Sequence, residues 1–133
     1  MSLPTLHLVL VSFWGGVVLA EFVIERAATI ENAAKLHYWI DVLIEIPLLF
    51  GVAATGAVLA IRTWPPSPLL LVKMVSAVIA IGANLYCAAI VVARYRSIDR
   101  PEEMFRHHRR IQLTGLAVPF GLVALVIGLR YFS

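Results

Sequence analysis

The sequence predicts an all-α integral membrane protein, a four-helix antiparallel bundle with both termini on the non-cytoplasmic side. Three observations carry that reading. Of the 133 residues, 61% are hydrophobic and 14% charged, where an average soluble domain carries about 45–50% and about 25%. Four apolar stretches are each long enough to cross a bilayer, which takes roughly 20 mainly apolar residues. The basic residues gather beside alternate ends of those stretches. This much apolar surface excludes a disordered chain. A single cysteine, Cys87, excludes a disulfide-stapled secreted module. The length allows one domain, residues 1–133, with spans expected at about 5–26, 33–62, 68–94 and from 101 or 108 to 132.

The first span, from about Thr5, has no basic flank before it and carries His7 and Glu21 inside it. It is therefore expected to stay in the protein rather than be cleaved as a signal peptide. Asn32 is placed to cap the second helix. Trp64 to Pro68 reads as a tight turn, with Ser67 as cap of the third helix and Pro68 at its first position. Asp99 with Glu102 resembles a capping box ahead of the fourth. Pro47 and Pro119 fall inside spans and should kink them. Gly15, Gly16, Gly51, Gly56, Ala80 and Gly115 are placed for close helix contacts. No internal repeat, low-complexity tract or inter-domain linker is evident.

Orientation follows from the flanking cations. Arg26 and Lys35 lie between spans one and two; Arg94, Arg96, Arg100, Arg106, Arg109 and Arg110 lie between three and four; the other side holds Arg62 and Arg130. The positive-inside rule makes both of these loops cytoplasmic, and the expected location is a bacterial inner membrane. Topology accounts for the arginines, so nucleic acid is not an expected partner, and anionic lipid headgroups are.

Glu21, Glu25, His37, Asp41 and Glu45 sit within or at the ends of the first two spans. An ionised side chain at a helix centre costs about 2.5–3.5 kcal/mol on insertion scales, so such residues face the bundle interior and serve a site. Residues four apart share a helix face, as do Glu21 with Glu25, and His37 with Asp41 and Glu45. Antiparallel pairing brings Glu21 level with Asp41 and Glu25 level with His37, with Glu45 about one turn (~5 Å) deeper. Asn84 falls near the depth of Glu45, with Cys87 on the same face, and His108, four before Gln112, comes near the same layer.

Carboxylates this close need protons or cations between them. Carboxylates and imidazoles from several helices are the ligand set of di-iron and di-manganese proteins, although the usual Glu-x-x-His motif is replaced by His-x-x-x-Asp-x-x-x-Glu. The expected ligands are Glu21, Glu25, His37, Asp41, Glu45 and His108, with Asn84 and His107 as weaker candidates. Iron, manganese or zinc suits oxygen-rich ligation, as one or two ions. Competing readings stay open. Glu25 and His37 can be solvated at the interface, and Glu21, Asp41 and Glu45 can pair with Arg26, Arg94 or Arg109.

His7 and Lys73 form a second polar layer toward the other side of the membrane. His7, Trp14, Glu21 and Glu25 share one face of the first helix, and Lys73, Ala80, Asn84 and Cys87 one face of the third. His7 with Trp14 and Gly16, and Trp64 with Lys73, resemble the four-helix membrane protoporphyrinogen oxidase family and the related copper-resistance D-type membrane domains. That resemblance implies His7 and Lys73 as the functional pair and a bound b-type haem. No second histidine is placed to oppose His7, and the carboxylate cluster is not part of the family pattern.

The function expected first is a membrane-embedded metal-binding protein, a redox enzyme acting at the cytoplasmic end of the bundle. Trp14, Phe22, Tyr38, Trp39 and Tyr86 can wall a lipophilic substrate for it, but packing against the bilayer and an interfacial belt is the favoured reading of these aromatics. Alternatives are a haem-binding oxidoreductase, a metal-ion or proton transport element working as a homo-oligomer, and a structural subunit of a larger membrane complex.

Overall fold

The computed structural model describes residues 1–132. Its described residues build four long rods, all helical. The first is α1 (Leu3–Ala27), capped by Ser2, whose hydroxyl accepts from Thr5 N. The second joins α2 (Ile30–Ile40) to α3 (Ile46–Arg62) through a wide turn over Asp41–Glu45. The third is α4 (Pro68–Arg96), and the fourth joins α5 (Pro101–Thr114) to α6 (Val118–Phe132) through a tightened turn over Gly115–Ala117. All four are long and apolar enough to cross a membrane.

Local chemistry sets the helix ends. Ser67 caps α4 as expected, accepting from Leu70 N at 3.2 Å, with Pro68 next to it. Thr29, not Asn32, caps α2: its Oγ1 accepts from Asn32 N at 3.2 Å, so the helix starts earlier than its apolar pattern. The capping box of Asp99 and Glu102 does not form. Proline suits the first helical position, which leaves Arg100 as the residue before it, without a side-chain cap. Glu103 is engaged instead, by Ser97 Oγ at 3.3 Å and Arg100 at 3.4 Å.

Both internal prolines follow a non-α turn. Pro47 lies just past the wide turn, where Ile46 N–H reaches back five residues to the Asp41 carbonyl. Pro119 lies just past the tightened turn at Gly115–Ala117. A proline has no N–H for the carbonyl four residues back and its ring crowds that carbonyl, so the helix changes its hydrogen-bond spacing there.

The burial pattern is inverted relative to a soluble fold. Large apolar side chains such as Phe13, Leu43, Phe50 and Val78 face outward, while Glu21, Glu25, His37, Asp41, Glu45 and Arg94 are buried. The apolar interior is small: one cluster of Trp14, Leu49, Val52 and Ala80, and another of Ile90, Val91 and Ile111. Contacts between the first two rods descend in opposite chain order, from His7 with Thr55, through Trp14 with Glu45, to Glu25 with His37. Small residues permit this packing. A Cβ on Gly51 would stand 3.3 Å from Leu10, one on Gly56 would stand 3.1 Å from the His7 ring, and one on Gly115 would stand 3.7 Å from Phe22. Gly15 and Gly16 differ from expectation: a Cβ on either would meet nothing within 4 Å, because both border a cavity rather than a helix.

Candidate metal centre

The four buried residues of α1 are His7, Trp14, Glu21 and Glu25, which is the face its spacing predicts. The second rod sends His37, Asp41 and Glu45 to meet it. Glu21, His37, Asp41 and Glu45 each offer a ligand atom, and the four atoms lie within 4.8 Å of one another. All four residues are at most 5% exposed. His37 Nε2 stands 3.4 Å from Glu21 Oε2 and 3.5 Å from Asp41 Oδ1. Two ligands at adjacent corners of a tetrahedron around a zinc-sized ion, with bonds of about 2.1 Å, lie about 3.4 Å apart. Glu21 Oε1 and Asp41 Oδ1 are buried without a hydrogen-bond partner, which a buried carboxylate oxygen rarely tolerates.

The wide turn is what sets Asp41 and Glu45 side by side. It begins at one and ends at the other, and such turns recur at functional sites. Glu45 is held from two sides. Trp14 Nε1 donates to its Oε1 at 3.2 Å, and Asn84 Nδ2 donates to the same oxygen.

His37 is held by its other nitrogen. Its Nδ1 lies 2.5 Å from Glu25 Oε1. Arg94 grips Glu25 with both arms, Nη1 to Oε2 at 2.8 Å and Nη2 to Oε1 at 2.5 Å. A carboxylate paired with a guanidinium accepts, so Nδ1–H donates to Glu25, and Nε2 is the nitrogen aimed at Glu21 and Asp41, able to ligate in that tautomer. A carboxylate on the far side of a metal-binding imidazole is the usual means of fixing its tautomer and orientation. Among the described residues no arginine or lysine forms an ion pair with Glu21, Asp41 or Glu45. Lone pairs therefore converge from four side chains, with a proton or a cation needed among them.

Four of the expected ligands, Glu25, His108, Asn84 and His107, lie outside the four-atom group. Glu25 is not in the four-atom group; it orients His37 and neutralises Arg94. His108 accepts from Arg94 Nη1 at 2.9 Å through Nδ1, and its Nε2 lies 3.2 Å from the Gln112 amide, so neither nitrogen faces the group. Asn84 donates to Glu45. His107 stands outside the group, with an Nδ1 that has no hydrogen-bond partner. Solvation of Glu25 and His37 is also overturned, since they are 5% and 4% exposed.

None of the alternative ion pairs of Glu21, Asp41 and Glu45 forms among the described residues; the buried pair is made by Glu25 instead. Arg94 is fully buried and pairs with Glu25, and its Nη2 also donates to the Ala33 carbonyl at 3.3 Å. Removing one partner of such a buried pair costs about 3–5 kcal/mol, because the other charge is stranded. Arg26 lies 3.4 Å over the Phe22 ring and donates to the Phe22 carbonyl. The anchoring role of Arg94 was not evident from its place in a basic loop, but Arg94 lies seven residues after Cys87, on the same face of α4, and that spacing is readable.

The second polar layer is present as well. Thr55 Oγ1 donates to the Gly51 carbonyl at 2.7 Å, so it accepts from His7 Nδ1 at 2.7 Å. The Lys73 side chain lies against Gly128, 3.3 Å from where a Cβ would be. Of the five aromatics expected around a substrate, Trp14 and Phe22 line the large cavity. Tyr38 instead stacks on Tyr95 with ring centroids 4.0 Å apart, Trp39 packs edge-on against both, and Tyr86 is 58% exposed.

No family model, curated protein or solved structure matches the chain. The chemistry of the site itself carries the functional reading.

Proposed function

We propose that this is a membrane-embedded metal-binding protein that holds one ion of iron, manganese or zinc between Glu21, His37, Asp41 and Glu45. The observation that carries the reading is the convergence of three buried carboxylates and one imidazole lone pair within 4.8 Å. Three carboxylates and one nitrogen form a hard, oxygen-rich set that disfavours copper(I). The bundle is antiparallel with both termini outside the cytoplasm, which puts the centre near the cytoplasmic face of an inner membrane. With iron or manganese bound, the protein is a redox enzyme; the chain positions the ion, and the ion supplies the electron chemistry. A haem-binding reading rests on the family resemblance and on His7, whose Nδ1 is engaged by Thr55, which leaves Nε2 for iron.

One purified sample tests these readings. Elemental analysis is expected to find about one transition-metal ion per chain, lost in Asp41→Asn and in Glu45→Gln. Wild-type protein without stoichiometric metal, or an Asp41→Asn variant that keeps it, overturns the proposal. A Soret band that disappears in His7→Ala supports the haem reading instead. Rapid exchange of the ion with medium in proteoliposomes points to transport.

A further inference from the structure

A cavity of about 390 Å³ lies beside the cluster, within the range of small-molecule sites. Its walls come from α1, α4, the turn after α5 and α6, and Glu21, His37 and Glu45 are among its lining residues. Several of its wall residues are also open to the outside of the bundle: Leu19, Phe22 and Leu122 are 55%, 38% and 51% exposed. The opening therefore runs along the seam between α1 and α6, on the side of the bundle that faces acyl chains. Gly15 and Gly16 keep it wide, since a Cβ on either would meet nothing within 4 Å.

We infer that this cavity is a binding site for a neutral amphiphile with a hydroxyl-bearing head, entering sideways from the bilayer with its head toward Glu21 and Glu45. The inference rests on the metal reading only in making that molecule the substrate of the centre. Charge selects the head. The carboxylates in its wall repel an anion, and entry from the acyl-chain side disfavours a fixed cation, whose transfer out of water into hydrocarbon is costly. A neutral O–H donor remains, and it meets acceptors: Glu21 is buried with an Oε1 that has no hydrogen-bond partner, and the Glu45 carboxylate stands beside it. The apolar remainder of the wall, with Val18, Leu122 and Leu125, takes a hydrocarbon tail.

Trp14 lines the cavity and reports on its contents. Full-length protein carrying Trp39→Phe and Trp64→Phe, in nanodiscs, is titrated at neutral pH with a ring-brominated nonylphenol and with its methyl ether. Saturable quenching by the phenol is expected, with half-saturation about tenfold higher for the ether, the loss expected for one hydrogen bond to a charged group. Gly16→Leu is expected to weaken the phenol at least tenfold by filling the cavity. Gly82→Leu is the control, because a Cβ there also meets nothing and Gly82 does not line the cavity. Quenching that stays linear, or equal for phenol and ether, means that lipid chains alone enter, and it overturns the inference. Gly15→Leu replaces Gly16→Leu if the latter does not fold, and the comparison of phenol with ether needs no cavity variant. Metal content measured on the same samples separates the two readings. Saturable binding without metal overturns only the centre, and stoichiometric metal without saturable binding overturns only this site.

Discussion

At Glu25 one carboxylate serves two partners, both arms of Arg94 and the Nδ1 of His37. It is the hinge between a structural ion pair and the cluster. A ligand and an orienting residue differ in what their loss does. Glu25→Gln keeps the shape and an acceptor oxygen for His37 but removes the charge that fixes its tautomer. It is expected to weaken metal binding by about 10–100-fold without abolishing it, the usual effect of losing an orienting carboxylate. Competition with a chromophoric chelator checks this. Complete loss of metal would make Glu25 a ligand after all. The sequence placed Glu25 beside His37 correctly, because helical spacing and a short loop determine depth. It did not assign the role, because proximity in depth does not say which oxygen faces which nitrogen.

In the second rod the decisive element is the turn from Asp41 to Glu45. Pro47 lacks the N–H that the Leu43 carbonyl would receive in a regular helix, and the spacing one turn earlier widens to accommodate it. The turn matters to the proposed site, since both of its ends belong to the four-residue group. Pro47→Ala restores the missing donor. Its thermal midpoint in detergent is expected to rise, by an amount consistent with the about 3 kcal/mol that an interior proline costs. Its metal affinity is expected to fall at least tenfold as Asp41 and Glu45 rotate apart. If both quantities stay at wild-type values, the proline does not cause the turn. A kink near Pro47 was readable from sequence. Its form was not, since a proline can bend a helix or widen it, and packing against α1 decides.

The whole molecule hides polar groups and exposes apolar ones, with Phe50 at 71% and Arg94 at 0% exposure. In water such a bundle would turn inside out; in hydrocarbon the exposed face needs no partner and the buried ionisable groups must find each other. The charge asymmetry of the loops predicts the direction. In a Cys87→Ser background, Asp99→Cys is expected to react with a membrane-impermeant maleimide only from the cytoplasmic side, and Ser67→Cys only from the opposite side. The reverse pattern would invert the bundle and move the centre to the other face.

The class, the four spans, the inward faces and the residues able to form a site were readable from residue order. All of these follow from length, hydropathy and a helical repeat, which are local. The α1 face of His7, Trp14, Glu21 and Glu25 was fully legible for that reason. Only the tertiary structure divided the ionisable residues between a four-ligand group and an Arg94–Glu25–His108 network. It alone opened the cavity at Gly15 and Gly16. The physical reason is that an acceptor, a donor and a lone pair have directions. Those directions are set where side chains from three helices meet, at distances near 3 Å that spacing along one chain does not encode.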